Sequence, residues 1–254
     1  MDHPNAIPRR HRNDSAILLN RAVFRLSRNW FPWFLVISGI YVGLPWLAPV
    51  AMRMGWEGIG RAIYFMYSFL CHQLPQRSFF LFGPSPSYPL ATIQQVWGKT
   101  VDPVVLRQFI GASELGYKVA WSDRMVSLYT SIPIAAAAWW PFRRRLRSLP
   151  LWAFAFLALP IAVDGTSHVI SDLAGIGQGF RDTNQWLAAL TGYRFPPTYY
   201  AGDALGSFNS WMRLITGALF GMGVVWLAFP AILDFFQDAA EVIEAKFKRA
   251  GVPL

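Results

Sequence analysis

From Trp30 to Met52 the chain runs 23 residues without a charged side chain. A helix of that length is about 35 Å long at about 1.5 Å per residue, enough to cross a hydrocarbon core of about 30 Å. Three more charge-poor stretches follow, so the spacing predicts full spans near 30–52, 125–142, 149–170 and 214–233. Only 15% of residues are charged and 54% are hydrophobic, well short of the roughly one-quarter charged content of soluble domains. The expectation is an all-α, polytopic membrane helical bundle with about four full spans.

The basic residues set the orientation. Arg9, Arg10, Arg12, Arg21, Arg25 and Arg28 precede Trp30, and Arg143, Arg144, Arg145 and Arg147 follow Trp139 and Trp140. Both clusters belong on the cytoplasmic face by the positive-inside rule. The rule also explains the formal charge of +9 without nucleic acid, for which the sequence carries no motif. The expected protein is a multi-pass chain of the cell inner membrane with cytoplasmic termini. Residues 1–29 form a basic, amphipathic segment, 30–233 the bundle, and 234–254 an amphipathic cytoplasmic tail. If the first span leaves the cytoplasm and the 125–142 span returns to it, segment 59–82 crosses an even number of times. His72, Pro75 and Arg77 break its apolar run, which fits a short or re-entrant helical pair. The Pro-, Gly- and aromatic-rich stretches 83–123 and 172–211 then form ordered outer caps.

Polar residues at membrane depth need a partner or a task. Asp164, His168 and Asp172 recur every four residues and share one helix face. A metal site, a proton relay and a hydrogen-bonded stripe all use that pattern. Transport would need comparable polar residues in the inner halves of the spans, and the sequence has none there. Cys71, His72, Gln73 and Arg77 crowd around Pro75, where they either hold a metal or cap a helix. Asp123 and Arg124 flank the second span as an interfacial charge pair. Asn209 and Arg213 sit four apart at the start of the last span, above Gly217 and Gly221, whose spacing suits close helix packing. A single cysteine excludes an intramolecular disulfide.

The stretch Cys71-His-Gln-Leu-Pro-Gln-Arg-Ser-Phe-Phe-Leu-Phe-Gly83 resembles the Cys-His-Gln-x-Pro-x-Arg-Ser signature of domain of unknown function 2085, a family of uncharacterised prokaryotic membrane proteins. Ala162-Val-Asp-Gly165 and the run from Asn184 to Gly192 are similar too, and the resemblance covers about residues 61–223. It implies a helical membrane fold. Where the family has a Cys-x-Arg-Cys turn, this sequence has Ser122-Asp-Arg-Met125, followed by Val-Ser-Leu-Tyr129. The three-cysteine metal or redox centre that the family pattern suggests therefore cannot form. The length between Gly83 and Trp121 looks like an insertion.

Loss of two thiols favours an accessory or structural subunit of a larger membrane complex, in contact with the lipid bilayer and other membrane subunits, with a vestigial polar site. The alternative is a metal-binding enzyme or metal-handling protein. It would hold a divalent metal at Cys71, His168 and Asp164, with His72, Asp123, Arg77 and Arg124 beside it. A lesser alternative is a pigment- or haem-associated subunit with His168 as axial ligand.

Overall fold

The structure is a computed structural model that describes residues 9–254, with side chains from Asp14 onward. The first eight residues of the basic segment, and the side chains of Arg9, Arg10 and Arg12, lie outside the described residues. In chain order the elements are α1 (Arg9–Arg28), α2 (Trp30–Arg53), α3 (Glu57–Ser68), β1 (Ser78–Leu81), α4 (Leu90–Trp97), α5 (Pro103–Leu106), β2 (Gly111–Ala112) and β3 (Gly116–Ser122). They continue with α6 (Asp123–Trp139), α7 (Leu151–Asp172), α8 (Phe180–Thr183), α9 (Gln185–Leu190), α10 (Pro197–Tyr200) and α11 (Phe208–Ala250). Among the described residues three helices, α2, α7 and α11, are long and apolar enough to cross a membrane. The segment expected as a further span is α6, which has 17 residues.

Helices α2, α6, α7 and α11 run alternately up and down. At one end Trp30, Phe31, Trp139 and Phe229 are buried together, with Phe31 stacked on Trp140 at 3.9 Å and Trp30 on Phe236 at 5.3 Å. This is the aromatic end. At the other, polar end α6 starts after Ser122 with Asp123 in its first turn, where the helix dipole favours an acid. Helix α11 starts after Ser207, whose side chain accepts the amide of Ser210. It continues without a break past Leu233, because nothing between there and Gly251 stops it; Gly251 takes the left-handed conformation at φ +64°. The tail is thus the far end of the last long helix, and α1 packs along it, with Arg21 donating to the Pro253 carbonyl at 2.7 Å.

The polar end carries a cap built on the second half of α2. Helix α3 folds back along α2: Gly60 sits against Met52 and Ala48, and the Tyr67 hydroxyl donates to the Tyr41 carbonyl at 2.6 Å. At 12 residues, or about 18 Å, α3 is too short to span. The expectation of an all-α chain with a helical pair over 59–82 is corrected here. Residues 78–81 form β1, which joins a three-stranded antiparallel sheet in the order β1-β3-β2, with Ser78 opposite Ser122 and Phe80 opposite Lys118. Phe79, Phe80, Tyr117, Val119 and Trp121 favour the extended pairing, and alternate residues of β1 are buried. A second small core of Phe80, Tyr88, Ile93, Phe109 and Leu115 lies under it.

Close approach of α11 to α6 depends on glycine. A Cβ at Gly221 would lie 2.0 Å from the Ser131 hydroxyl and 2.7 Å from the Leu128 carbonyl, and one at Gly217 3.0 Å from the Arg124 carbonyl. Gly221→Leu is expected to destabilise the bundle by about 1–3 kcal/mol or more through forced separation of the helices. Gly39→Leu on the exposed side of α2, where a Cβ meets nothing within 4 Å, is expected to leave the thermal midpoint in detergent unchanged.

Candidate functional site

Six of the seven arginine–carboxylate pairs among the described residues join the cluster at the polar end. Asp123, the first residue of α6, receives Arg213 of α11 in a bidentate pair at 2.7 and 2.8 Å, and also the Ser210 hydroxyl. Arg213 reaches on to Asp203 at 2.7 Å. Arg77 donates to Asp203 at 2.7 Å and grips both oxygens of Asp172 at 2.7 and 2.8 Å. On the neighbouring side Asp164 of α7 takes Arg124 on one oxygen and Arg181 on the other, each at 2.7 Å. Arg181 also donates to Asn209, Ser167 and His168. Four arginines thus meet four aspartates, and three of these acids are 3–4% exposed.

Local chemistry places these groups. Gly179 packs so closely on Ser171 that a Cβ would lie 2.0 Å from its hydroxyl. That contact lets the Arg181 amide bond Ser171 at 3.0 Å and swings the Arg181 side chain back toward Asp164. Asn184, left-handed at φ 44°, holds the turn by donating to the Arg181 and Tyr200 carbonyls. Burial opposes ionisation of Asp203, but Arg77 and Arg213 outweigh it and hold the carboxyl well below the usual carboxylate range.

Beside the network lies a cavity of about 410 Å³. Arg124, His168 and Cys71 contribute to its polar wall; Leu74, Met125 and Ile176 are among its apolar lining. Val169 of α7 and Leu173 just beyond its end, 63% and 82% exposed, stand at its rim. The Cys71 sulfur accepts the amides of Gln73 at 3.3 Å and Ser122 at 3.4 Å and meets the Ser122 hydroxyl at 3.5 Å. Gln73 adopts φ 52°, a left-handed conformation held by its side-chain amide on the Tyr64 carbonyl. Its own carbonyl, with that of Arg107, accepts from the fully buried Lys118 amine, each at 2.7 Å. Burial pushes Lys118 down from 10.5 to about 7. A neutral amine has two hydrogens, which match those two carbonyls.

The expected site residues divide cleanly. Cys71, His72, Gln73, Arg77, Arg124, His168 and Arg213 line one cavity, and Asp164 touches it through Arg124. Asn209 is buried on the far side of Arg181, and Gly217 and Gly221 lie lower, against α6. Asp123 and Arg124 do not pair with each other through their side chains; Asp123 is buried and belongs to Arg213. Metal binding is not supported, since among the described residues no three His, Cys, Asp or Glu side chains are grouped to hold an ion. The physical reason is that arginines already engage the carboxylates meant as ligands. His168, considered as an axial ligand, has its Nε2 facing Arg181 at 3.3 Å. Sequence reasoning missed Arg181, Asp203 and Lys118. Arg181 had a signal in the Gly179-to-Asn184 turn; Lys118 reads as an ordinary exposed strand residue.

These features define the class, a mostly helical membrane protein with three helices of membrane-crossing length. Residues 113–227 match the model of the family described as predicted membrane protein (DUF2085), which bears out the resemblance to that family. The match takes in α6, α7 and the first half of α11, and the Cys71 segment precedes it. The chain is similar to the uncharacterized protein MJ1492 of Methanocaldococcus jannaschii, at 27% identity over 80% of this chain and 87% of that one. No solved structure matches.

Asp203→Asn leaves Arg77 and Arg213 facing a neutral amide, and a loss of about 3–5 kcal/mol is expected in denaturant titration of the detergent-solubilised protein. Glu57→Gln, which breaks the exposed pair with Arg61, is expected to change stability by less than about 1 kcal/mol. Between about 7 and 10.5 the unfolded chain keeps the Lys118 proton and the folded chain releases it. Stability therefore rises with pH across that window. Lys118→Met is expected to flatten the rise in a series of thermal midpoints.

Proposed function

We propose that the chain is a four-span bundle of the inner membrane, with both termini cytoplasmic, whose outer-leaflet pocket binds an amphiphile. Helix α6 supplies the fourth span: it lies between α2 and α11, and its 17 residues extend through Phe142 in a single 3-10 turn. The arginines of 143–147 follow that turn and argue for the cytoplasmic face there. The polar end then faces outward.

The observation that carries the function is the 410 Å³ cavity. Its size suits a small ligand. One wall is polar and held rigid by the ion-pair network, the rest is apolar, and the rim bears the exposed Val169 of α7 and Leu173 just beyond it. A molecule with a polar head and an apolar tail fits such a wall, and the surrounding bilayer delivers it sideways past that rim. Preformed walls keep the ordering cost of binding small.

A second function, membrane subunit of a larger complex, is favoured by α7, of whose apolar window only 11% is buried within the chain. Either lipid or another protein covers that face. Sizing after mild solubilisation separates these: a 28.7 kDa chain running alone in its micelle sinks the subunit role.

Cys71 is the chain's one cysteine and lines the cavity, so its alkylation reports occupancy in the unaltered protein. With delipidated protein, N-ethylmaleimide labelling is expected to slow at least several-fold when lysolipid or monoolein is added, and native mass spectrometry is expected to show about one bound amphiphile per chain. An unchanged labelling rate together with the absence of bound amphiphile would refute the pocket's role.

A further inference from the structure

Two residues that line the cavity each carry a buried hydrogen-bond donor with no acceptor among the described residues. The first donor is on His168, which is 3% exposed. Its Nε2 lies 3.3 Å from Nη2 of Arg181. Arginine has no acceptor, so Nε2 must present its lone pair, and the neutral ring carries its hydrogen on Nδ1. That nitrogen is buried without a partner. The second donor is Nε of Arg124, also buried and unpartnered. Only Nη2 of this guanidinium is engaged by a carboxylate, Asp164. Its Nη1 lies over Gly165, where a Cβ would be 3.1 Å away.

The other cations of the wall are different. Arg77 and Arg213 each use all three guanidinium nitrogens on aspartates. Asp172 also lines the cavity, but Arg77 holds both of its oxygens. Around Asp164 the balance is uneven, since two guanidiniums, of Arg124 and Arg181, share one carboxylate. A positive surplus therefore coincides with the two idle donors. Native proteins pair nearly all buried polar groups, and of the residues that keep an unpartnered buried polar atom, among them Gln76, Trp121 and Asn184, only His168 and Arg124 line the cavity, where an outside acceptor could reach.

We infer that the Nδ1–H of His168 and the Nε–H of Arg124 form an oxyanion site that takes the singly charged head of the bound amphiphile. This rests on the amphiphile pocket and names the head group: a carboxylate or a phosphodiester, each an acceptor-only group of charge minus one. The apolar lining takes the tail.

The test uses the full chain, delipidated in a non-ionic maltoside detergent and titrated with oleate, phosphatidylglycerol or uncharged monoolein, with Cys71 alkylation and native mass spectrometry as readouts. Wild type is expected to bind at least one of the two anionic probes about tenfold more tightly than monoolein, as charge-assisted hydrogen bonds imply. Preference for oleate identifies a carboxylate and preference for phosphatidylglycerol a phosphodiester. Arg124→Gln and His168→Phe are each expected to bring that ratio close to one, with the thermal midpoint of each variant as the check on its fold. Equal affinity of wild type for charged and uncharged probes overturns the oxyanion site and leaves the amphiphile pocket standing. No binding of any probe overturns both. Should either variant fail to fold, the wild-type comparison decides alone.

Discussion

Buried ionised groups are tolerable only when each has its counter-charge at bonding distance, and the polar end of this chain is organised by that requirement. Asp123 starts α6, Asp164 and Asp172 belong to α7, Arg213 to α11, and Asp203, Arg77 and Arg181 come from the connecting segments. Each guanidinium therefore ties at least two pieces of chain together. Arginine suits the task because its planar fork can meet a carboxylate with two parallel bonds, as Arg77 meets Asp172 and Arg213 meets Asp123. Lysine, a point charge, could not fix those angles. Shifting α7 along α6 by one turn would part Asp164 from Arg124, and shifting α11 along α6 would part Arg213 from Asp123, so the network sets the register of the bundle as well as its cap. The glycines of α11 only permit the approach; the ion pairs specify its height.

The long elements were legible because membrane solubility writes itself into composition: a helix with 23 consecutive uncharged residues, as in α2, finds enough apolar surroundings only in a bilayer or a large core. The polar end was half legible. Asp164 stands out in an apolar helix, and its need for a partner follows from depth alone. Which partner it takes does not, because Arg181 is 17 residues away across a turn whose shape depends on Gly179 touching Ser171. The mispairing of Asp123 with Arg124 has the same origin. Adjacent residues in a helix point in different directions, and the acid's true partner lies 90 positions further on. The small sheet was obscured by its shortness, with β1 four residues long and β2 two.

The departure from the family signature acquires a physical meaning in the structure. Ser122 and Met125 stand where the resemblance puts the two further thiols, and both line the cavity beside Cys71. The positions of a three-thiol centre therefore converge on one wall. In this chain that wall carries a thiol, a hydroxyl and a thioether, with the sulfur of Cys71 already accepting two backbone amides. A wall of that kind presents weak acceptors and apolar bulk, and the strong donors belong to Arg124 of α6 and His168 of α7.

What keeps the cavity open is the same rigidity that closes everything around it. A side chain at position 165 larger than hydrogen would press on Arg124, and the left-handed Gln73, pinned by Tyr64 and Lys118, cannot relax inward without losing three hydrogen bonds. Collapse would otherwise be favourable, because an unfilled space forfeits the contacts its lining would make. The outer end pairs its buried carboxylates in full, yet it leaves polar atoms of Gln76, Trp121 and Asn184 without a partner among the described residues, and two residues of the cavity wall, His168 and Arg124, each keep a donor idle beside a preserved space. Departures of that last kind from local consistency are expected where a site has been held ready for something outside the chain.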